Sequence, residues 1–220
     1  MYDFVQSIAP AAPDTDVNFN ITWPKVVILS SDIEHFWVGS YDINLLGPTD
    51  KLDAATTTKI FTETIQTSAL IRSLPSTFIA EINGIATGSG NELLVTCDMS
   101  FAGPDTVVGM IETAAGNTEG NGGVAYMVRR MGMHRAAEYL LPSQSIGAAE
   151  AAEAGWVNRA YGSADELTSA VDAIANRMAI LPAGSLNATK VAIRSFGPSQ
   201  EQINADLASV NQPECKRLHT

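Results

Sequence analysis

Two kinds of hydrophobic spacing alternate along the first half of the chain. Residues 26–29 form a continuous run, Val-Val-Ile-Leu, which is typical of a strand buried on both faces of a parallel sheet. Apolar side chains at helical spacing predict a helix over residues 51–74, which Pro75 ends. Residues 78–82 predict a second strand, and the small residues 84–90 predict a glycine-rich turn after it. The pattern therefore alternates strand and helix, as in an α/β fold.

The second half of the chain is mostly helical in pattern. Short strand candidates at residues 99–102 and 106–109 come before a loop rich in Gly and Asn at residues 114–123. Beyond this loop the pattern predicts three helices, at residues 165–181, 182–196 and 200–210. We therefore expect an α/β core over residues 1–162 and a helical region over residues 163–220.

The composition narrows the classes of function. The 220 residues carry a formal net charge of −11, which disfavours general binding to nucleic acid or to anionic lipid. No run of residues approaches the ~20 apolar residues of a membrane span, and no signal peptide is visible. Of the two cysteines, Cys97 lies in an apolar run and is expected to be buried. A cytoplasmic location is therefore the default expectation.

Two glycine-rich segments invite a nucleotide-binding interpretation, but neither fits. The segment at 84–90 lacks the third glycine of the dinucleotide fingerprint, since Leu93 occupies that position. The segment at 116–123 lacks the lysine of a phosphate-binding loop. A turn after the strand at 26–29 and the turn at 84–90 can each offer a backbone N–H to an oxyanion at the same sheet edge. The alternative is that both segments are only tight turns. The spacing of their residues, taken alone, favours this alternative.

Two glutamates stand in apolar surroundings. Glu92 lies in the run GNELLV, and Glu112 lies in VVGMIETAAG. Burial of a carboxyl group raises its pKa toward the range that suits proton transfer. The simpler alternative is a surface glutamate at a helix end. Neither a nucleophilic triad nor a cluster with metal-ligand spacing is found in the sequence, so no metal is expected.

Four segments, in order, resemble the crotonase (enoyl-CoA hydratase/isomerase) superfamily over about residues 24–190. They read VVILSSDIEHFWVGSYDINLL, FIAEINGIATGSGNELLVTCDMSFAG, VVGMIETAAGNTEGNGGVAYMVRRMG and SIGAAEAAEAGWVNRAY. The second is similar to the family pattern I-x-G-x-A-x-G-G-G-x-E-L-x-x-x-C-D. The resemblance implies a crotonase-like ββα superhelix core with a C-terminal helical region that carries subunit contacts, in a homotrimer or hexamer.

The resemblance also implies roles for individual residues. The backbone N–H of Ser89 would form one half of the oxyanion hole, and that of Ser40 or Tyr41 the other half. Glu92 would act on water and Glu112 on the α-carbon of the substrate. The remaining candidate pocket residues are Gly88, Gly90, Glu119 and Gly122.

The implied activity is hydration or dehydration of an α,β-unsaturated acyl-CoA thioester. Isomerisation of a double bond is the second candidate reaction. CoA would then be part of the substrate, a small molecule, and no separate cofactor is expected. Several positions depart from the family pattern. Asn44 stands where a lysine is usual, Glu119 replaces a proline, and strands that usually precede Met1 are absent. The alternatives are therefore the same fold acting on a related carbonyl compound without CoA, or a catalytically silent oligomeric protein.

Three side chains receive simpler interpretations from the sequence. Glu119 is expected to be a solvated loop residue, although it is also a candidate at the mouth of the pocket. Phe36 and Trp37 are expected to lie in the core.

Overall fold

The computed structural model describes residues 1–8, 23–40 and 53–210 of the chain. Within these ranges the strands are β1 (Val26–Leu29), β2 (His35–Val38), β3 (Thr77–Ile82), β4 (Gly84–Thr87), β5 (Met99–Ala102), β6 (Val107–Gly109), β7 (Ser145–Gly147) and β8 (Arg159–Ala160). The helices are α1 (Tyr2–Ser7), α2 (Ala54–Ser73), α3 (Ser89–Thr96), α4 (Gly123–Met131), α5 (Met133–Leu140), α6 (Ala148–Ala154), α7 (Ala164–Ala179), α8 (Ala183–Arg194) and α9 (Gln200–Val210). The predicted α/β class is confirmed.

The first sheet is parallel throughout and has the order β1-β3-β5-β8. Val27 pairs with Phe78 across β1 and β3, and Ile79 pairs with Met99 across β3 and β5. Phe78 and Ile79 are both fully buried, as expected for a central strand covered on both faces. The strands predicted at 26–29 and 78–82 are therefore confirmed.

The second sheet has the order β2-β4-β6-β7, in which only β7 runs antiparallel. Here the sequence prediction was wrong, because residues 84–87 and residues 36–38, the first part of the turn predicted at 36–42, form strands. Gly84 pairs with His35, and a side chain at position 84 would collide with the backbone of His35 and Phe36. Glycine thus marks a close approach of two strands as well as a turn.

The predicted helices are present with small changes at their ends. Asp53 caps α2 by accepting a hydrogen bond from the Thr56 N–H at 2.7 Å, and the helix ends before Pro75. Beyond β8, the described chain forms only helices, α7 to α9. The division of the chain at residues 162 and 163 stays a prediction.

A buried ion cluster attaches α8 to the first sheet. Asp98, just before β5, accepts hydrogen bonds from the Phe78 N–H at 2.8 Å and from the Arg194 Nε at 2.9 Å. Lys190 Nζ lies 3.0 Å from the same carboxylate and donates to the Ser76 carbonyl oxygen at 2.6 Å. This cluster fixes α8 against the first sheet.

Of the side chains that the sequence predicts to be buried, Trp37 and Cys97 lie in the main core and Phe36 does not. Trp37 is buried and its Nε1 donates to the Leu29 carbonyl oxygen at 3.0 Å, and Cys97 is buried as predicted. The expectation for Phe36 was wrong, since its side chain is 40% exposed on the second sheet. Successive residues of a strand point to opposite faces, and Phe36 lies on the face of the second sheet that is exposed, with its pairing partner Ile85 also 40% exposed.

Candidate active site

Glu92 lies in the first turn of α3, directly after β4. Its side chain is only 7% exposed, and its Oε1 accepts a hydrogen bond of 2.6 Å from the Asn121 N–H. Burial and, second to it, the charge of Glu112 raise the pKa of Glu92 to about 8. The position near a helix N-terminus favours the charged form but does not outweigh burial. Glu92 is therefore a carboxyl group that can hold or release a proton near neutral pH.

Glu112 follows β6, the neighbour of β4 in the second sheet. Strands β4 and β6 are parallel, with Thr87 paired to Gly109, so the residues that follow both strands emerge at the same sheet edge. Burial and the charge of Glu119 raise the pKa of Glu112 to about 7. Its Oε2 is buried, and no described residue forms a hydrogen bond with it. The second sheet thus brings the two predicted glutamates close enough for the charge of Glu112 to raise the pKa of Glu92.

Glu119 lies in the loop between β6 and α4. The expectation of a solvated side chain was wrong, because Glu119 is only 3% exposed. The Thr118 hydroxyl lies 3.3 Å from its Oε2, and its charge raises the pKa of both Glu92 and Glu112. The loop between β6 and α4 turns the Glu119 side chain toward the protein interior. The polar sequence of this loop predicts exposure to solvent and gives no sign of this burial.

The segments that carry Ser40 and Ser89 lie against each other. A Cβ at Gly88 would lie 2.5 Å from the Ser40 Oγ, and the Ser89 Oγ lies 3.3 Å from the Gly39 carbonyl oxygen. Within the described ranges, neither the Ser40 nor the Ser89 N–H donates a hydrogen bond. Ser89 also begins α3, where the positive end of the helix dipole lies. Two free amides therefore lie near one another at the edge that carries Glu92.

The other predicted pocket positions fall around this edge or outside the described chain. Gly90 lies so close to β2 that a Cβ would collide with the Val38 carbonyl oxygen. Gly122 is the N-cap of α4, where it packs against Ile203 of α9. Tyr41 lies outside the described residues, and so does Asn44.

Sequence reasoning missed two polar residues of the site. Asn121, only 3% exposed, holds Glu92 through its backbone N–H and donates from its Nδ2 to the Ser68 Oγ at 2.6 Å. Ser68 lies on α2 and is 1% exposed. An Asn in a Gly-rich loop predicts only a turn, so no local signal identified this contact.

Neither a metal site nor a membrane span is found in the part of the chain that the structure covers. In residues 1–8, 23–40 and 53–210, no group of three or more His, Cys, Asp or Glu side chains is arranged to hold a metal ion. In the same residues, no helix is long and apolar enough to cross a bilayer.

Comparisons with known proteins agree on one family and one fold. Residues 20–212 match the family described as Enoyl-CoA hydratase/isomerase. The 2,3-dehydroadipyl-CoA hydratase of Escherichia coli is 29% identical over 213 residues, which cover 96% of this chain and 77% of that protein. The short-chain-enoyl-CoA hydratase of Clostridium acetobutylicum is 35% identical over 100 residues, 46% of this chain and 38% of that protein. An enoyl-CoA hydratase structure from Geobacillus kaustophilus matches with a TM-score of 0.73 at 25% identity, over 98% of this chain and 79% of that one.

Proposed function

Since the chain belongs to the enoyl-CoA hydratase/isomerase family and has the crotonase fold, we propose that it adds water to, or removes it from, an α,β-unsaturated acyl-CoA thioester. The observation that carries this proposal is the pair of glutamates that follow the adjacent parallel strands β4 and β6, the buried Glu92 and the half-buried Glu112. Both have pKa values raised into the range of proton transfer. The proposal also assigns the Ser40 and Ser89 amides, whose segments are in contact, to the enolate oxygen.

In the proposed mechanism the thioester carbonyl oxygen accepts hydrogen bonds from two backbone amides. The Ser89 N–H supplies one, and the N–H of Ser40 or Tyr41 supplies the other. Negative charge collects on this oxygen as the enolate forms, and donors already in place stabilise it without reorganisation. Because the donors are main-chain groups, the serine side chains need not take part in the chemistry.

The two glutamates divide the proton transfers. In hydration, Glu92 takes a proton from water as the water oxygen bonds to the β-carbon, and the C=C electron pair moves to form the enolate. Glu112 then donates a proton to the α-carbon as the enolate collapses to the thioester. The sum is addition of one water molecule across the double bond. Dehydration reverses each step, with Glu112 as base and Glu92 as acid.

This chemistry requires the pair to hold one proton between its two members. The charge of Glu112 raises the pKa of Glu92, so the two groups titrate as a coupled pair. With pKa values of about 8 and about 7, the pair keeps a proton near neutral pH, whereas two solvated glutamates would have lost both. Burial thus lets the pair share one proton. Dehydration needs it on Glu92, which has the higher pKa, and hydration needs it on Glu112.

CoA is proposed as a part of the substrate, and no separate cofactor enters the reaction. Isomerisation of a double bond is the close alternative within the same family, since it also passes through an enolate but leaves water out. The hydrogen bond from the Asn121 N–H to the Glu92 Oε1 favours hydration. It fixes Glu92, in addition to Glu112, as a carboxyl group that can bind and deprotonate water. A cytoplasmic location remains a prediction from the sequence.

Replacement of each glutamate tests the proposal. We expect Glu92→Gln and Glu112→Gln each to lower kcat for hydration of a short enoyl-CoA such as crotonyl-CoA by about 10²- to 10⁴-fold, because each removes one proton-transfer group. The rate is measured from the fall in ultraviolet absorbance, because hydration removes the double bond that is conjugated with the thioester carbonyl. Glu138→Gln, at an exposed position of α5, is the matched control and should retain full activity. Unchanged turnover in both site variants, or no turnover of any enoyl-CoA by the wild type, contradicts the proposal.

We also propose that the region 163–220 carries the contacts of a homotrimer or a hexamer. Four large apolar side chains within and around α8 are exposed by more than half of their surface, namely Ile180, Val191, Ile193 and Phe196. Exposed apolar residues gathered in one region indicate a protein interface. The three-fold state itself rests on the family resemblance.

A further inference from the structure

The side chain of Asn121 has one polar atom that no group in the described part of the chain bonds. Asn121 is only 3% exposed, and its backbone N–H and its Nδ2 donate hydrogen bonds of 2.6 Å to the Glu92 Oε1 and to the Ser68 Oγ. Its Oδ1 is buried and has no hydrogen-bond partner among residues 1–8, 23–40 and 53–210. A buried acceptor without a donor is costly, so its presence beside a site indicates a ligand that donates to it.

The two donated hydrogen bonds fix Asn121 beside the Glu92 carboxylate. The backbone bond places Asn121 in direct contact with Glu92, and the bond to Ser68 fixes the plane of its amide group. Ser68 is 1% exposed in the middle of α2, so this anchor is itself rigidly packed. The amide oxygen and nitrogen share one planar carbon, so the direction of Nδ2 also determines the direction of Oδ1.

We propose that Asn121 Oδ1 positions the water molecule that Glu92 activates. This inference rests on the proposed function and specifies how its water is held. A water molecule has two hydrogens, and two acceptors are available to it here. One hydrogen is donated to the Glu92 carboxylate, which can accept several hydrogen bonds, and the other to Asn121 Oδ1. The water lone pair is then left to attack the β-carbon.

The role of Asn121 is one of orientation, and it exchanges no proton. In hydration the water loses its proton to Glu92 and its oxygen bonds to the β-carbon, while Glu112 gives a proton to the α-carbon. Asn121 Oδ1 accepts the second hydrogen of the water before, during and after this step. Orientation of a reactant is worth a large factor in rate, and a displacement of about 1 Å can cost about 100-fold.

The variant Asn121→Ala removes Oδ1 but keeps the backbone N–H that holds Glu92. We expect kcat for crotonyl-CoA hydration to fall by about 10- to 100-fold, with KM changed by less than about 3-fold. Exchange of the α-hydrogens of butyryl-CoA with deuterated water should persist at the wild-type rate, because it needs the amides and Glu112 but no water at the β-carbon. Asn117→Ala, a change of the same kind in the same loop, should leave both rates unchanged.

The outcomes separate this inference from the function on which it rests. Full hydration activity in Asn121→Ala, or an equal fall of hydration and exchange, overturns the water-positioning role while the two-glutamate mechanism stands. Wild-type protein that catalyses neither hydration nor exchange overturns the proposed function and this inference with it. If Asn121→Ala fails to fold, a high-resolution crystal structure of the wild type decides. An ordered water bonded to both Asn121 Oδ1 and the Glu92 carboxylate supports the inference, and a protein donor on Oδ1 refutes it.

Discussion

At the scale of single residues, the candidate site is a set of polar groups buried at a cost to stability. Glu92 keeps a hydrogen bond from the Asn121 N–H, yet burial and the charges of Glu112 and Glu119 still raise its pKa to about 8. A carboxyl group whose pKa is higher in the folded than in the unfolded state binds more protons when folded. Its contribution to stability is therefore present at low pH and is lost as the pH rises.

We expect Glu92→Gln to be more stable than the wild type at alkaline pH. The folded state retains a proton between the unfolded pKa of 4.5 and the folded pKa of about 8, so wild-type stability declines across this window. Glutamine carries no charge at any of these pH values. The free energy of unfolding of Glu92→Gln should therefore exceed that of the wild type by about 2–4 kcal/mol above pH 8 and equal it below pH 4. Urea unfolding at several pH values measures this. A pH-independent difference between the two proteins would contradict the folded pKa of Glu92.

At the scale of elements, the geometry of the site depends on how closely α3 approaches the end of β2. Ser89 begins α3, and Ser40 follows β2 by two residues, so their amides meet only if these elements touch. Gly90 permits the contact, because any Cβ at this position would collide with the Val38 carbonyl oxygen. A carbonyl oxygen in a strand cannot move aside as a flexible side chain can.

Two glycine substitutions on helices should therefore have opposite effects. Gly90→Ala should destabilise the protein by at least about 2 kcal/mol, since α3 or β2 must shift to admit the methyl group. Gly184→Ala, in the first turn of α8, should stabilise it by about 0.5–1 kcal/mol, because a Cβ there meets no atom within 4 Å and alanine favours the helix. Urea unfolding of both variants measures the difference. Equal stability of Gly90→Ala and wild type would refute the close contact.

At the scale of the whole molecule, the C-terminal region combines a firm attachment to the first sheet with exposed apolar side chains. The buried cluster of Asp98, Lys190 and Arg194 holds α8 on the first sheet. On the two flanks of this attached face α8 exposes Val191 by 61% and Ile193 by 66%, and Phe196 just beyond the helix is 81% exposed. An element that is firmly attached and exposes apolar side chains suits a subunit interface.

We expect Phe196→Ser to weaken self-association. The substitution removes an exposed aromatic side chain that can be buried between subunits, and aromatic residues contribute strongly to interfaces. Light scattering at a series of protein concentrations measures the mass. Met133→Ser is the matched control, because Met133 is 70% exposed but lies outside the C-terminal region. A wild-type monomer, or equal effects of both variants, would contradict an interface at α8.

Much of the element order could be predicted from the sequence. The buried strands at residues 26–29 and 78–82, the helix that ends before Pro75 and the helical C-terminal region follow from local hydrophobic spacing. The two short strands at 35–38 and 84–87 escaped prediction, because glycines that let strands approach closely are the same residues that mark turns.

The sequence by itself determined that two glutamates would lie in apolar surroundings next to glycine-rich segments, because the residues around each glutamate are hydrophobic. Only the tertiary structure decided that Glu119 is buried and that Asn121 joins Glu92 to Ser68. The physical reason is distance along the chain, since Ser68 and Asn121 are 53 positions apart. Local patterns report which residues avoid water, whereas strand pairing and helix packing determine which of them meet.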